Sequence, residues 1–314
     1  MRILFMGSPE LAVPSLNAVL DMGQVVSVVT QPPKSSGRGR KITPSAVSLE
    51  ASKAGISIMT PSTLKAPDTV QALRELEPDI AVVVAYGKIL PPEVLAIPGL
   101  GCVNVHASIL PELRGAAPIQ WAIARGYKET GVTLMQMDEG MDTGPILLQR
   151  TTNIGELETA GQLGVRLGQM GADLLREGLP RLAAGELLPV RQDGSLATYA
   201  PLLRKSDGLV DWTLDSQEIA DRVRGFSPWP GTFTTRGGKR IIISSSAALE
   251  EPSETSPGTI TSADNRGIHV SCGIGTLNIL AVKPEGKREM GIPEFLAGYK
   301  IEVGEILGKI ENGE

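Results

Sequence analysis

Histidine and cysteine are scarce in this chain, two of each in 314 residues, so chemistry that depends on either has few places to sit. Cys102 and Cys272 lie far apart, with no second metal-type ligand spaced near either; a disulfide framework and a zinc site are both excluded as readings, and no metal is expected. The setting this implies is a reducing one, the cytoplasm. Long apolar runs are missing too. The opening Met1-Arg2-Ile3-Leu4-Phe5-Met6-Gly7 has one basic residue and too short an apolar stretch for a signal peptide, and no later run would span a bilayer, so no membrane partner is expected. The turn Gly7-Ser8-Pro9-Glu10 carries one glycine where a dinucleotide site uses three, and no Gly-Lys-Ser/Thr phosphate loop occurs anywhere. Nicotinamide chemistry and ATP hydrolysis lose their support. The net charge of -5 decides nothing about polyanions, which respond to local basic patches.

What is present is enough chain for two domains, each with a core of its own. Residues 2–6 read as a buried strand, 9–22 as a helix with Leu11, Val13, Leu16, Val19 and Leu20 on its apolar side, and 25–30 as a second strand. Strand, helix and strand at this spacing make a βαβ unit with parallel pairing. Helices are expected over 46–54, 69–76, 117–125 and 159–184, a short one before Pro98, and strands over 56–59, 80–85, 102–105, 131–137 and 146–151. The long helix carries glycines at 161, 164, 168 and 171, each costing about 1 kcal/mol against alanine, so close packing must compensate. Regularity fades over 188–207. A short helix over 219–225 and β-rich runs over 233–235, 240–244, 258–262, 267–271 and 275–281 then suit a small β-barrel. The fold class is α/β: a Rossmann-like, mostly parallel sheet followed by a smaller barrel of the OB type.

The chemistry concentrates at 103–111. Asn104 and His106 stand two apart at the end of an apolar strand, so their side chains share a face. Pro111, Gly115 and Pro118 then break the chain into a loop, and in open parallel sheets ligands bind at such strand ends. A lone histidine after an apolar strand is usually structural. Here a carboxamide accompanies it, and the glycine-bounded turn at 138–144 adds Asp138, Glu139 and Asp142; alone that turn would read as ordinary surface. An amide and an imidazole can hold the oxyanion of an acyl transfer, and a carboxylate can orient the imidazole and raise its basicity. The stretch 31–44 is different: prolines, glycines, little that is apolar, and four basic side chains, Lys34, Arg38, Arg40 and Lys41. It reads as an exposed, mobile loop. Most such runs are solvated linkers, but a long loop inside a compact unit tends to be functional, and basic side chains suit a phosphate backbone. Lys239, Arg240, Lys283, Lys287 and Arg288 give the barrel basic edges that read first as scattered surface charge.

Several stretches together make the chain similar to the methionyl-tRNA formyltransferase family of folate-dependent formyltransferases. They are Ile3-Leu4-Phe5-Met6-Gly7-Ser8-Pro9, Gly37-Arg38-Gly39, Tyr86-Gly87-Lys88-Ile89-Leu90, Asn104-Val105-His106, Arg114-Gly115-Ala116-Ala117-Pro118-Ile119-Gln120, Thr130-Gly131-Val132-Thr133 and Met137-Asp138-Glu139-Gly140-Met141-Asp142-Thr143-Gly144. Ala197-Thr198-Tyr199-Ala200-Pro201, Asp211-Trp212 and Pro228-Trp229-Pro230-Gly231 extend the likeness into the second half. The resemblance implies transfer of a formyl group from 10-formyltetrahydrofolate to the α-amino group of methionine on initiator methionyl-tRNA, with Asn104, His106 and Asp142 catalytic. It implies a folate site formed by Lys88, Ile89 and Leu90, by Ser108, Ile109, Leu110 and Pro111, and by Asp138, Glu139 and Gly140. It also implies that Lys34, Arg38, Arg40 and Lys41, with the barrel, hold the tRNA acceptor arm. The division expected is a catalytic domain at 1–188, a linker at 189–207 and a tRNA-binding barrel at 208–314, acting as a monomer. Two departures stand out: Glu112-Leu113 replaces the family's aromatic and basic residues after Leu-Pro, and Ala107 replaces a common glycine. They leave open what meets the end of the acceptor arm.

Overall fold

The computed structural model describes residues 1–36, 41–251 and 255–308. The chain divides into two compact units. One gathers 1–118, 129–153 and 164–201; the other gathers 119–128, 154–163 and 202–314.

In the first unit, β1 (Arg2–Gly7), α1 (Val13–Met22) and β2 (Gln24–Val29) form the expected βαβ unit, with β1 and β2 parallel. The helix starts later than the apolar pattern suggests. A 3-10 turn occupies Glu10–Ala12, and Pro14 in the first turn of α1 is where a missing N–H costs nothing. There follow β3 (Lys34–Ser36), β4 (Lys41–Thr43), α2 (Ala46–Lys53), β5 (Ile58–Met59), α3 (Pro67–Glu75), β6 (Ile80–Val84), α4 (Pro92–Leu95) and β7 (Cys102–His106). Ser45 caps α2, its Oγ accepting from the Ser48 N–H at 3.0 Å. Next come β8 (Arg114–Gly115), α5 (Pro118–Ala124), which from residue 119 belongs to the second unit, β9 (Glu129–Gln136), β10 (Ile146–Asn153), α6 (Ala160–Ala183), which belongs to the first unit from residue 164, and β11 (Tyr199–Ala200).

The main sheet runs β10-β9-β7-β6-β1-β2-β5. From β7 to β5 every neighbouring pair is parallel, while β9 and β10 are antiparallel additions at one edge. Strands β6 and β7 are buried along their whole length, which is why they read as unbroken apolar runs instead of alternating ones. The glycines of α6 do the compensating work. A Cβ on Gly168 would come within 3.0 Å of the Leu11 carbonyl, on Gly171 within 2.7 Å of Val105 Cγ1, and on Gly178 within 2.5 Å of Leu134 Cδ2. The helix therefore lies closer to β7 and β9 than any side chain there would permit.

The basic stretch at 31–44 is not the irregular loop its composition suggests: β3 pairs antiparallel with β4, Ser35 opposite Ile42. This hairpin has no apolar alternation to announce it. Arg38 and Arg40 lie outside the described residues, and of Lys34 and Lys41 only the backbone is described. The connecting stretch also carries structure. Through Pro201 it clusters with the first unit, where β11 pairs parallel with β8.

The second unit holds α7 (Ser216–Gly225), β12 (Thr232–Arg236), β13 (Lys239–Leu249), β14 (Ile260–Asp264), β15 (Gly267–Ser271), β16 (Thr276–Pro284), β17 (Met290–Gly291) and α8 (Ile292–Gly298). Its antiparallel sheet runs β12-β13-β16-β15-β14, with β17 on β16, around a core that includes Ile243, Val270, Leu277, Ile279 and Phe295. The segment at 305–308 bridges the sheet's two ends: the Leu307 N–H donates to the Gly258 carbonyl and the Gly308 N–H to the Thr235 carbonyl, each at 2.9 Å. This gives the barrel-like character expected of the second half. Five of its strands fall where the short β-rich runs place them, whereas β17 and α8 had no periodic signal of their own.

Candidate active site

Strand β7 carries Asn104 and His106, which are 9% and 6% exposed. Both ring nitrogens of His106 have partners. Nε2 lies 3.0 Å from the Leu113 carbonyl oxygen, which can only accept, so Nε2 carries the proton. Nδ1 faces Asp142 Oδ2 at 3.7 Å, an electrostatic contact longer than a hydrogen bond. The neutral ring thus keeps its lone pair on Nδ1, on the side of the Asp142 carboxylate. The Asn104 carboxamide has no hydrogen-bond partner among the described residues and sits one side chain along the same face.

Asp142 reaches this point by an indirect route. Because β9 runs antiparallel to β7, its last residue, Gln136, pairs with Val103, while His106 pairs with Thr133. The loop after β9 therefore starts beside the beginning of β7 and must run back to bring Asp142 to His106. The rule about parallel strand ends locates His106 but not its carboxylate. Asp142 has a φ of 53°, uncommon for a residue with a side chain, and its Oδ2 accepts from the Gly115 N–H at 2.8 Å. Gly115 has a φ of 122°, and a Cβ there would lie 2.6 Å from the Ala200 carbonyl oxygen, so this donor position admits only glycine. Leu113, also at positive φ (57°), donates its N–H to Thr198 Oγ1 at 2.8 Å and so fixes the carbonyl that holds His106.

The expected folate residues divide in how they are held. Leu90 is buried in a cluster with Met6, Val29 and Tyr86, while Ile89 is 82% exposed. The Lys88 ammonium donates to the carbonyls of Pro61 and Ser62 at 2.9 and 2.8 Å. Ser108 is buried with its Oγ donating to the Glu112 carbonyl at 2.6 Å, and Ile109 and Pro111 are half-buried. Leu110 is bound through its backbone, the N–H to Thr133 Oγ1 and the carbonyl from Gln149 Nε2. Asp138, Glu139 and Gly140 are exposed, Asp138 Oδ1 accepting from the Gly140 N–H and Thr143 Oγ1. These contacts fix the polar groups of Lys88 and Ser108 within the protein, and leave the apolar Ile89 and the acidic loop available to a ligand.

Cys102, two residues before Asn104, is no nucleophile: burial pushes its thiol up to about 12, so it stays protonated. Among the described residues no three His, Cys, Asp or Glu side chains cluster as a metal site, and no helix is long and apolar enough to cross a membrane.

Two family models match the chain: "Formyl transferase" over residues 1–179 and "Formyl transferase, C-terminal domain" over 202–300. A protein of Citrifermentans bemidjiense named methionyl-tRNA formyltransferase is 46% identical over 310 residues, covering 98% of this chain and 97% of its own. Among solved structures, an N-formyltransferase from Helicobacter canadensis, in complex with folinic acid and dTDP-3-aminofucose, superimposes with a TM-score of 0.66 at 19% identity. It covers 88% of this chain and 98% of its own. HypX from Aquifex aeolicus, in complex with tetrahydrofolic acid, gives 0.61 at 18% identity over 94% of this chain, which spans only 47% of that protein's length. At these identities the two structures speak for the fold alone. The sequence relationship, running at nearly half identity from end to end, is what decides: the chain belongs to the methionyl-tRNA formyltransferase family.

Proposed function

We propose that this protein transfers the formyl group of 10-formyltetrahydrofolate to the α-amino group of methionine on initiator methionyl-tRNA, the modification that prepares this tRNA for translation initiation. The amine nitrogen bonds to the formyl carbon, and the bond from that carbon to the folate nitrogen breaks. A proton passes from the amine to the departing nitrogen. Asn104, whose carboxamide has no hydrogen-bond partner among the described residues, holds the oxyanion of the tetrahedral intermediate. His106 acts through Nδ1 only, because Nε2 is occupied by the Leu113 carbonyl. Its Nδ1 lone pair takes the proton that the attacking amine loses; the imidazolium so formed, stabilised by Asp142, then donates from Nδ1 to the oxyanion and delivers that proton to the departing nitrogen. The observation that carries this reading is the His106 Nδ1 to Asp142 Oδ2 contact of 3.7 Å beside a free carboxamide on the same strand.

The folate lies against Lys88, Ile89 and Leu90, residues 108–111, and Asp138, Glu139 and Gly140. Exposed Ile89 offers apolar surface, and the acidic loop offers acceptors for the donor edge of a pterin. The acceptor arm is held by Lys34, Arg38, Arg40 and Lys41 together with the C-terminal part. The functional division is catalytic at 1–188, connecting at 189–207 and tRNA-binding at 208–314. Two buried free cysteines suit work in the reducing cytoplasm. The test is formyl transfer from 10-formyltetrahydrofolate to charged initiator tRNA, run beside uncharged tRNA and free methionine. Turnover with the charged tRNA alone is expected. Equal turnover with free methionine overturns the assignment of the acceptor.

A further inference from the structure

Arg114 is 6% exposed, yet among the described residues no carboxylate pairs with it. A buried cation without a counter-charge is costly enough to need a purpose. Its Nε and Nη2 both donate to Oε1 of Gln192, at 3.1 and 2.7 Å. Gln192 is itself 8% exposed, and its Nε2 donates to two backbone carbonyls, Asp142 at 2.9 Å and Gly144 at 2.7 Å. Both N–H groups and both oxygen lone pairs of this carboxamide are therefore engaged. Turning it over would set its oxygen against two carbonyls and its NH2 against a guanidinium, so the cation fixes which way the amide faces.

The clamp acts where a clamp is needed. Asp138, Glu139, Gly140, Met141 and Thr143 are exposed, so most of the loop has little packing to hold it. Asp142 nonetheless holds a φ of 53°, a conformation that persists only where its surroundings over-determine it. Gly115 grips the carboxylate and Gln192 grips the backbone on either side of the next residue. The two grips share an origin, because Gly115 follows Arg114 in β8.

We infer that Gln192 is a positioning residue for formyl transfer: oriented by Arg114, it holds the loop so that Asp142 faces His106 Nδ1. It touches no reacting atom and acts through Asp142, so the inference rests on the catalytic role proposed above for that residue. Two variants remove the clamp in different ways. Gln192→Met keeps the length and loses every hydrogen bond. Gln192→Glu keeps the acceptor for Arg114, gains an ion pair that secures the fold, and sets an oxygen against both carbonyls.

Steady-state kinetics with 10-formyltetrahydrofolate and charged initiator tRNA, alongside thermal melting and an Asp142→Asn control, decide the matter. Misplacing a catalytic group by about 1 Å can cost about a hundredfold, so both Gln192 variants are expected to lower kcat by about 10- to 100-fold. Both KM values stay within about twofold, and Gln192→Glu melts no lower than the parent. A kcat within about twofold of the parent in either folded variant, with Asp142→Asn inactive, overturns the positioning role. Should Gln192→Met not fold, Gln192→Glu decides. Full activity of Asp142→Asn is a separate result and overturns the reading on which the inference rests.

Discussion

Each unit sets a histidine beside an asparagine on a sheet, and the two pairs have little else in common. In the first, Asn104 and His106 follow each other on β7, nearly buried, with both ring nitrogens of the histidine engaged. In the second, His269 on β15 lies directly across from Asn278 on β16. The exposed Asp264 feels the charge of His269 only as the smallest of several causes; hydrogen bonds from Arg266 chiefly hold it below the ordinary carboxylate range. The Asn278 oxygen is buried without a hydrogen-bond partner among the described residues and crowds the α-carbon of Gly267, where a Cβ would lie 1.7 Å from it. The same residue types thus stand in two different settings, the first of which suits the chemistry proposed above. What separates them is the carboxylate that a loop brings to His106.

The largest expected effect tests that contrast directly. His106→Ala removes the proton carrier and should lower kcat by about 10²- to 10⁴-fold, the usual worth of a positioned acid or base. His269→Ala should leave kcat within about twofold. Comparable losses from both would dissolve the distinction. A smaller effect comes from the partners. Asn104→Ala is expected to cost about 10²- to 10³-fold in turnover with an unchanged melting temperature. Gly267→Ala, by forcing Asn278 aside, is expected to cost about 1–3 kcal/mol of stability with turnover intact. Measuring kcat and melting on both proteins separates a site from a scaffold, and an Asn104→Ala protein with parental turnover would remove the oxyanion role.

Much of the first pair was legible before any coordinates. The strand over 102–105 announces itself by an apolar run, and alternation alone puts Asn104 and His106 on one face. Asp142 stood out as a carboxylate in an acidic turn that could orient the imidazole, and the family resemblance singled it out, but the geometry that brings it to His106 depends on β9 running antiparallel, which no local pattern specifies. Leu113 was silent for a different reason: it contributes a backbone carbonyl, and any residue has one. Gln192 acts on a residue 50 positions away and is held by another 78 away, from a stretch with no periodicity. The β3–β4 hairpin escaped notice because register in a polar pair is set by backbone hydrogen bonds without an apolar face to betray it.

The smallest expected effect uses the one cysteine that each unit buries. Burial pushes Cys102 from 9.0 up to about 12 and Cys272 from 9.0 up to about 11. In the unfolded chain both thiols ionise near their ordinary value, while the folded protein keeps them protonated. Above pH 9 the unfolded state therefore binds fewer protons than the native one, and stability falls as pH rises. The contribution is whole below about pH 9 and drains away toward the folded value, over a wider span for Cys102 than for Cys272. Melting temperatures from about pH 8 to about pH 10.5 should decline in the parent protein. Cys102→Ala and Cys272→Ala should each flatten that decline, whatever either costs at neutral pH through the cavity it leaves. Tyr86, raised by burial from 10.0 to about 12, adds to the slope at the upper end and keeps it from vanishing in either variant. A slope unchanged in Cys102→Ala would mean that this thiol ionises in the folded state as freely as in the unfolded one, and would return Cys102, two residues from Asn104, to the list of available nucleophiles.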